Sequence, residues 1–122
     1  MEKQTFDKDE RIRKKRDFLT VYQQGVRCHS MNFTLIAYRN PSGARRLGIT
    51  VGKKVGNAVK RNRIKRLLRE FFRVHKQQFS PAQDFVIMAK WPSKGAKDAM
   101  PPLQYRDVCV ELENLLKKVS HA

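Results

Sequence analysis

The sequence predicts an α+β sandwich, one sheet covered by helices in the order α-β-β-β-α-β-α. Three observations carry that expectation. At 122 residues, 40% of them hydrophobic, the chain can build one packed core but not two. Its apolar spacing switches between a period of two and a period near 3.6. The switches fall near glycine, proline or asparagine, the residues that end helices and make turns. Residues 1–122 therefore read as a single domain, with 1–10 as a flexible N-terminal segment.

The elements follow in order. Asp17 to Gln24 reads as a short helix with apolar Phe18, Leu19, Val21 and Tyr22, stopped by Gly25. Val26 to Ser30 reads as a short strand. Asn32 to Arg39 and Arg45 to Val51 are strand-like, joined by the turn Asn40-Pro41-Ser42-Gly43. In the second of these, Leu47, Ile49 and Val51 alternate with Gly48, Thr50 and Gly52, as in a half-buried strand. A loop punctuated by Gly52 and Gly56 opens into a long helix from Asn57 to Gln78, with Asn57 as N-cap. Its apolar set, Ile64, Leu67, Leu68, Phe71 and Phe72, has the spacing of one buried helical face. Asp84 to Lys90 contains the unbroken apolar run of a buried central strand. Met100-Pro101-Pro102 precedes a last helix that buries Tyr105, Val108, Leu112, Leu115, Leu116 and Val119.

Charge narrows the function. Twenty-seven Lys and Arg against eleven Asp and Glu give a net charge of +16. A field of that size suits a polyanionic partner, nucleic acid or an anionic membrane surface, and is not needed for a small neutral substrate. No stretch approaches the roughly 18 apolar residues of a membrane-spanning helix. The first ten residues have no apolar core and do not read as a secretory signal. Cys28 and Cys109 lie far apart with no CxxC partner, so they read as reduced thiols in a cytoplasmic protein. His29 follows Cys28, but His75 and His121 have no metal-ligand spacing to either cysteine, and no metal site is assigned.

The charge is concentrated. Residues 45–76 hold twelve basic residues and one acid, Glu70. Projected at 100° per residue, the helix places Asn62, Arg63, Lys65, Arg66, Arg69 and Arg73 opposite its apolar sector, with Arg61 at the border. Lys53 and Lys54 extend the ridge into the preceding loop. An ordinary solvated face mixes signs, because like charges at i, i+4 repel. Lys65, Arg69 and Arg73 stack at that spacing, a repulsion that phosphates would relieve. The ridge reads as a nucleic-acid-binding surface.

The string Gly56-Asn57-Ala58-Val59-Lys60-Arg61-Asn62-Arg63-Ile64-Lys65-Arg66-Leu67-Leu68-Arg69-Glu70 closely resembles the Arg-Asn-Arg signature of the bacterial ribonuclease P protein subunit. Further matches to that family are Arg46-Leu47-Gly48-Ile49-Thr50-Val51-Gly52-Lys53-Lys54, Arg11-Ile12-Arg13-Lys14-Lys15-Arg16-Asp17-Phe18 and Asp84-Phe85-Val86-Ile87-Met88-Ala89. The resemblance runs from about Arg11 to Val119. It implies a left-handed crossover joining the strands on either side of the long helix, an exception to the usual hand. It implies that an RNA subunit carries the chemistry and cuts precursor tRNA to leave the mature 5′ end. Mg2+ would be held by that RNA and at the RNA–protein interface. Lys53, Lys54, Arg61, Asn62, Arg63, Lys65, Arg66 and Arg69 match the part that binds the catalytic RNA. Phe18, Tyr22, Thr34 and Ile36 match the cleft that holds the single-stranded 5′ leader. Some members carry a tyrosine where this chain has Ile36, which removes a stacking surface here.

No catalytic residue is assigned to the protein itself. Asp17, Glu70 and Asp84 form no acid–base pairing pattern, and Gly52 to Gly56 lacks the rest of a phosphate-binding loop. The implied partners are the catalytic RNA and precursor tRNA, with no membrane and no obligate protein partner. The competing reading is a noncatalytic RNA-binding module such as a ribosomal protein or RNA chaperone. A DNA-binding helix-turn-helix ranks last, because a strand and a glycine loop stand where its first helix belongs.

Overall fold

A computed structural model describes residues 8–90 and 104–120. The elements are α1 (Lys15–Gln24), β1 (Val26–His29), β2 (Phe33–Arg39), β3 (Arg46–Val51), α2 (Ala58–Val74), β4 (Gln83–Ala89) and α3 (Tyr105–Ser120), in the order expected. The sheet order is β1-β2-β4-β3. β1 and β2 pair antiparallel, as do β2 and β4, while β3 and β4 run parallel and are joined through α2. The turn at Asn40 therefore does not close a hairpin, because β4 lies between β2 and β3. Met100-Pro101-Pro102 lies outside the described residues.

Several boundaries differ from expectation by a single residue, and two helix ends differ by more, each for a tertiary reason. α1 begins two residues early, at Lys15, because Ile12 is buried and its N–H is held by the Leu47 carbonyl at 3.0 Å. α2 stops at Val74 rather than Gln78. His75 caps it, a short 3-10 turn spans Lys76–Gln78, and the chain thereby delivers Phe79 into the core. There Phe79 meets Phe71, Phe72 and Phe85 edge-on, with ring centroids 4.8–5.9 Å apart. Of the N-terminal segment expected to be flexible, residues 1–7 lie outside the described residues; residues 8–10 form a 3-10 turn, and Glu10 accepts from the buried Lys76 ammonium at 2.9 Å.

The sheet has two different faces. On one, Phe33, Leu35, Leu47, Phe85 and Ile87 pack with Ile64, Leu68, Phe71 and Phe72 of α2 and Val108, Leu112 and Leu115 of α3. On the other, α1 covers a smaller cluster of Ile12, Val21, Ile36 and Val86. Glu111 of α3 fixes the β1–β2 turn: it accepts from the Ser30 hydroxyl and from Asn32 N and Nδ2, the last at 3.0 Å.

Candidate nucleic-acid interface

The first surface is one side of α2. Asn57 caps the helix, its Oδ1 accepting from Lys60 N–H at 2.9 Å, and Ile64, Leu68, Phe71 and Phe72 hold the opposite side in the core. That anchorage fixes the rotation of the helix and turns its cations outward. Asn62, Arg63, Arg66 and Arg69 are exposed, Arg61 and Lys65 half-buried. Lys53 and Lys54 are exposed on the 3-10 turn that precedes the helix. All eight residues expected to bind RNA thus share one continuous segment.

They are not equivalent. Arg61 Nε donates to the Gly56 carbonyl at 3.2 Å, tying the glycine loop to the helix. Arg73 closes on Glu70, and these bonds hold the Glu70 carboxyl below its usual range while raising the Arg73 guanidinium. The one acid of the block is thereby spent at the far end of the helix. Arg63, Lys65, Arg66 and Arg69 make no ion pair with any described residue.

The second surface lies on the other side of the sheet, and its strand register divides it into three rows. In the first, Arg46 and Asp84 are paired across β3 and β4. Arg46 grips Asp84 with two bonds of 2.8 and 2.7 Å, reaches Asp17 of α1 at 3.6 Å, and Asn40 Nδ2 donates to Asp84 at 2.8 Å. The hydrogen bonds to Asp84 raise the Arg46 pKa against the opposing effect of burial. This network pins the start of α1 to the sheet.

The middle row is Arg27, Ile36, Val86 and Gly48, and α1 lies across it. Two glycines let the helix approach. A Cβ on Gly48 would stand 2.5 Å from the Phe18 ring, and one on Gly25 would stand 2.5 Å from Ile36 Cγ2. Ile36 is 0% exposed beneath that contact. Expected among the leader-contacting residues, it is buried here beneath α1, which it supports.

The third row is His29, Thr34, Met88 and Thr50, one residue from each strand in register. It lies one row beyond Ile36 and Val86, on the side of Tyr22. The Tyr22 hydroxyl shares a 3.0 Å hydrogen bond with Thr50 Oγ1. Phe18 and Tyr22 are half-buried, with ring centroids 6.2 Å apart. Thr34 is only 6% exposed, and its hydroxyl shares a 3.0 Å hydrogen bond with His29 Nδ1. Phe18, Tyr22 and Thr34 thus lie on the same side of the sheet, the two rings on α1 and Thr34 in the row that Tyr22 reaches through Thr50, with Ile36 beneath α1.

A family model for Ribonuclease P matches residues 6–120. The chain belongs to the ribonuclease P protein family. A Ribonuclease P protein component of Syntrophus aciditrophicus is 51% identical over 118 residues, 97% of this chain and 93% of the relative. The RNase P protein of Staphylococcus aureus superposes with a TM-score of 0.77 at 38% identity, covering 91% of this chain and 95% of that one. The Thermotoga maritima RNase P protein gives a TM-score of 0.76 at 33% identity, covering 90% and 97%. The alternative of a ribosomal protein or RNA chaperone is not favoured against this membership, and no described helix is long and apolar enough to cross a membrane.

Within the ribonuclease P frame, sequence reasoning missed the Arg46–Asp84–Asn40 clamp, Thr50 and His29. Thr50 was legible as the polar partner of the Leu47, Ile49, Val51 alternation. His29 carried no such signal, because only the register of β1 on β2 places it beside Thr34.

Proposed function

We propose a division of labour for this protein component of ribonuclease P, which takes part in tRNA 5′ maturation. The α2 surface docks on the catalytic RNA subunit, and the cleft beside α1 holds the single-stranded 5′ leader of precursor tRNA. The observation that carries this reading is the separation of two chemically unlike surfaces by the sheet. One is a row of cations that make no ion pair with any described residue, suited to phosphates. The other carries two half-buried aromatic residues side by side on α1, suited to stacking unpaired bases.

The chemistry itself is assigned to the RNA subunit. Among the described residues no three His, Cys, Asp or Glu side chains converge on a point that could hold a metal ion, and Glu70, the acid of the ridge, is bonded to Arg73. The cations of the ridge suit phosphate, and in this reading Mg2+ is held by the RNA and at its junction with the protein. The chain acts in this reading as a single RNA-binding domain of the cytoplasm.

Reconstitution tests the proposal. Adding the protein to the catalytic RNA should raise precursor tRNA cleavage at low Mg2+. Arg63→Ala should reduce that gain by weakening assembly, and Tyr22→Ala should reduce it by weakening capture of the leader. No stimulation of cleavage at any protein concentration would overturn the assignment.

A further inference from the structure

The row His29–Thr34–Met88–Thr50 crosses all four strands, so its ends lie about 14 Å apart, three strand spacings. Tyr22 stands over the Thr50 end. That is too far for one base to touch both ends, and the His29 end is built as deliberately as the other. His29 is exposed on the edge strand, yet its ring is held at Nδ1 by Thr34, a side chain almost wholly buried. No hydrogen bond or ion pair to a described residue engages its Nε2. Two cations flank it. Arg27 lies two residues earlier on the same face, its guanidinium donating to the Tyr22 carbonyl at 2.5 Å. The Lys90 ammonium donates to the carbonyl of Ser30, the next residue, at 2.5 Å.

We propose that His29 is a second leader-contacting residue, at the opposite end of the cleft floor from Tyr22. Its oriented ring meets a different nucleotide of the single-stranded RNA through the free Nε2 edge, and Arg27 and Lys90 favour the adjoining phosphates. Thr34 is then a positioning residue. Its hydroxyl faces the imidazole instead of the RNA and fixes the plane in which His29 meets the nucleotide. This inference rests on the leader occupying the cleft.

A cross-strand His–Thr pair also helps β1 and β2 associate, so the test must separate binding from sheet stability. The holoenzyme is reconstituted with the catalytic RNA. Its affinity is measured for mature tRNA and for precursors whose leaders are shortened one nucleotide at a time. His29→Ala should weaken binding of the full-leader precursor about tenfold, in the range of one base contact. Mature tRNA should bind as before. Thr34→Val, which keeps the volume and removes the hydroxyl, should lose a similar factor, and Thr34→Ser should restore it. As the leader is trimmed, the losses from Tyr22→Ala and His29→Ala should vanish at different lengths, because the two residues meet different nucleotides.

Three results would overturn the proposal: His29→Ala within twofold of the native protein while Tyr22→Ala is impaired, equal loss for precursor and mature tRNA, or Thr34→Ser as defective as Thr34→Val. If Phe18→Ala and Tyr22→Ala are also silent, the leader does not occupy the cleft, and the broader reading falls with this one.

Discussion

The cationic side of α2 and the cleft beside α1, the two RNA surfaces of the proposed reading, are made in opposite ways. The ridge comes from one segment. Its residues are neighbours in sequence, its geometry is the helical period, and most of its side chains are detached from the packing. The cleft is gathered from α1 and all four strands, and its residues double as structure. Phe18 rests on Gly48, Tyr22 bonds Thr50, and Thr34 bonds His29. A change on the ridge should therefore alter affinity with the fold intact, whereas a change in the cleft must be checked against stability.

The largest expected effect tests whether the clamp belongs to the cleft side. Asp84 is 3% exposed and bonded to Arg46 and Asn40. Asp84→Ala leaves the Arg46 guanidinium without its main counter-charge and should destabilise the protein by about 3–5 kcal/mol, read by chemical denaturation. Hydrogen exchange should then show α1 opening before α2. Simultaneous opening of the two helices would mean that the faces are not separable units.

On the ridge, Arg63→Ala and Arg66→Ala should each weaken binding to the catalytic RNA by about 1–3 kcal/mol, with an unchanged melting temperature. Each should also reduce the slope of log affinity against log salt by about one. Arg61→Ala should differ, because it also releases the Gly56 carbonyl and loosens the loop carrying Lys53 and Lys54. Binding that ignores both the substitutions and the salt would reduce the ridge to a solvated helix face.

In the cleft, Tyr22→Ala should weaken holoenzyme binding of precursor tRNA by about 1–3 kcal/mol and leave mature tRNA and catalytic-RNA affinity unchanged. Equal losses for the two tRNAs would make Tyr22 a core residue. The smallest effect concerns Tyr105, which lies in neither surface. Its hydroxyl is buried without a hydrogen-bond partner among the described residues, and burial, reinforced by the neighbouring Cys109 thiol, pushes its pKa up to about 12. The unfolded chain ionises this phenol near pH 10, so the folded state keeps the proton longer. The resulting contribution to stability is complete below about pH 10 and is lost as the pH rises through about 12. Tyr105→Phe should remove that alkaline loss and stabilise the protein at neutral pH by up to about 1 kcal/mol, with RNA binding unaltered. Denaturation midpoints at neutral and alkaline pH check both statements.

Legibility in the sequence follows the same division. The order of elements, the Asn57 cap, the Gly25 stop and the buried faces of α2 and α3 could be read directly, because each depends on residues within a turn or two of one another. The end of α2 could not, since Val74 is its last helical residue only because Phe79 must reach the aromatic cluster on the sheet. Nor could the attachment of Glu10 to Lys76, residues far apart in the chain and joined only when the N-terminal segment lies along the domain.

The sequence by itself determined that this is an α+β domain with a cationic helix carrying Asn62 among its arginines, because charge and helical period are written in consecutive residues. The tertiary structure alone decided the rest. The register of β1 on β2, and of β2 and β3 on β4, set His29, Thr34, Met88 and Thr50 in one row and left Ile36 beneath α1. A one-residue slip in any of those pairings would turn the strand's side chains to the opposite face, and only the packing of the whole sheet fixes which face each one takes.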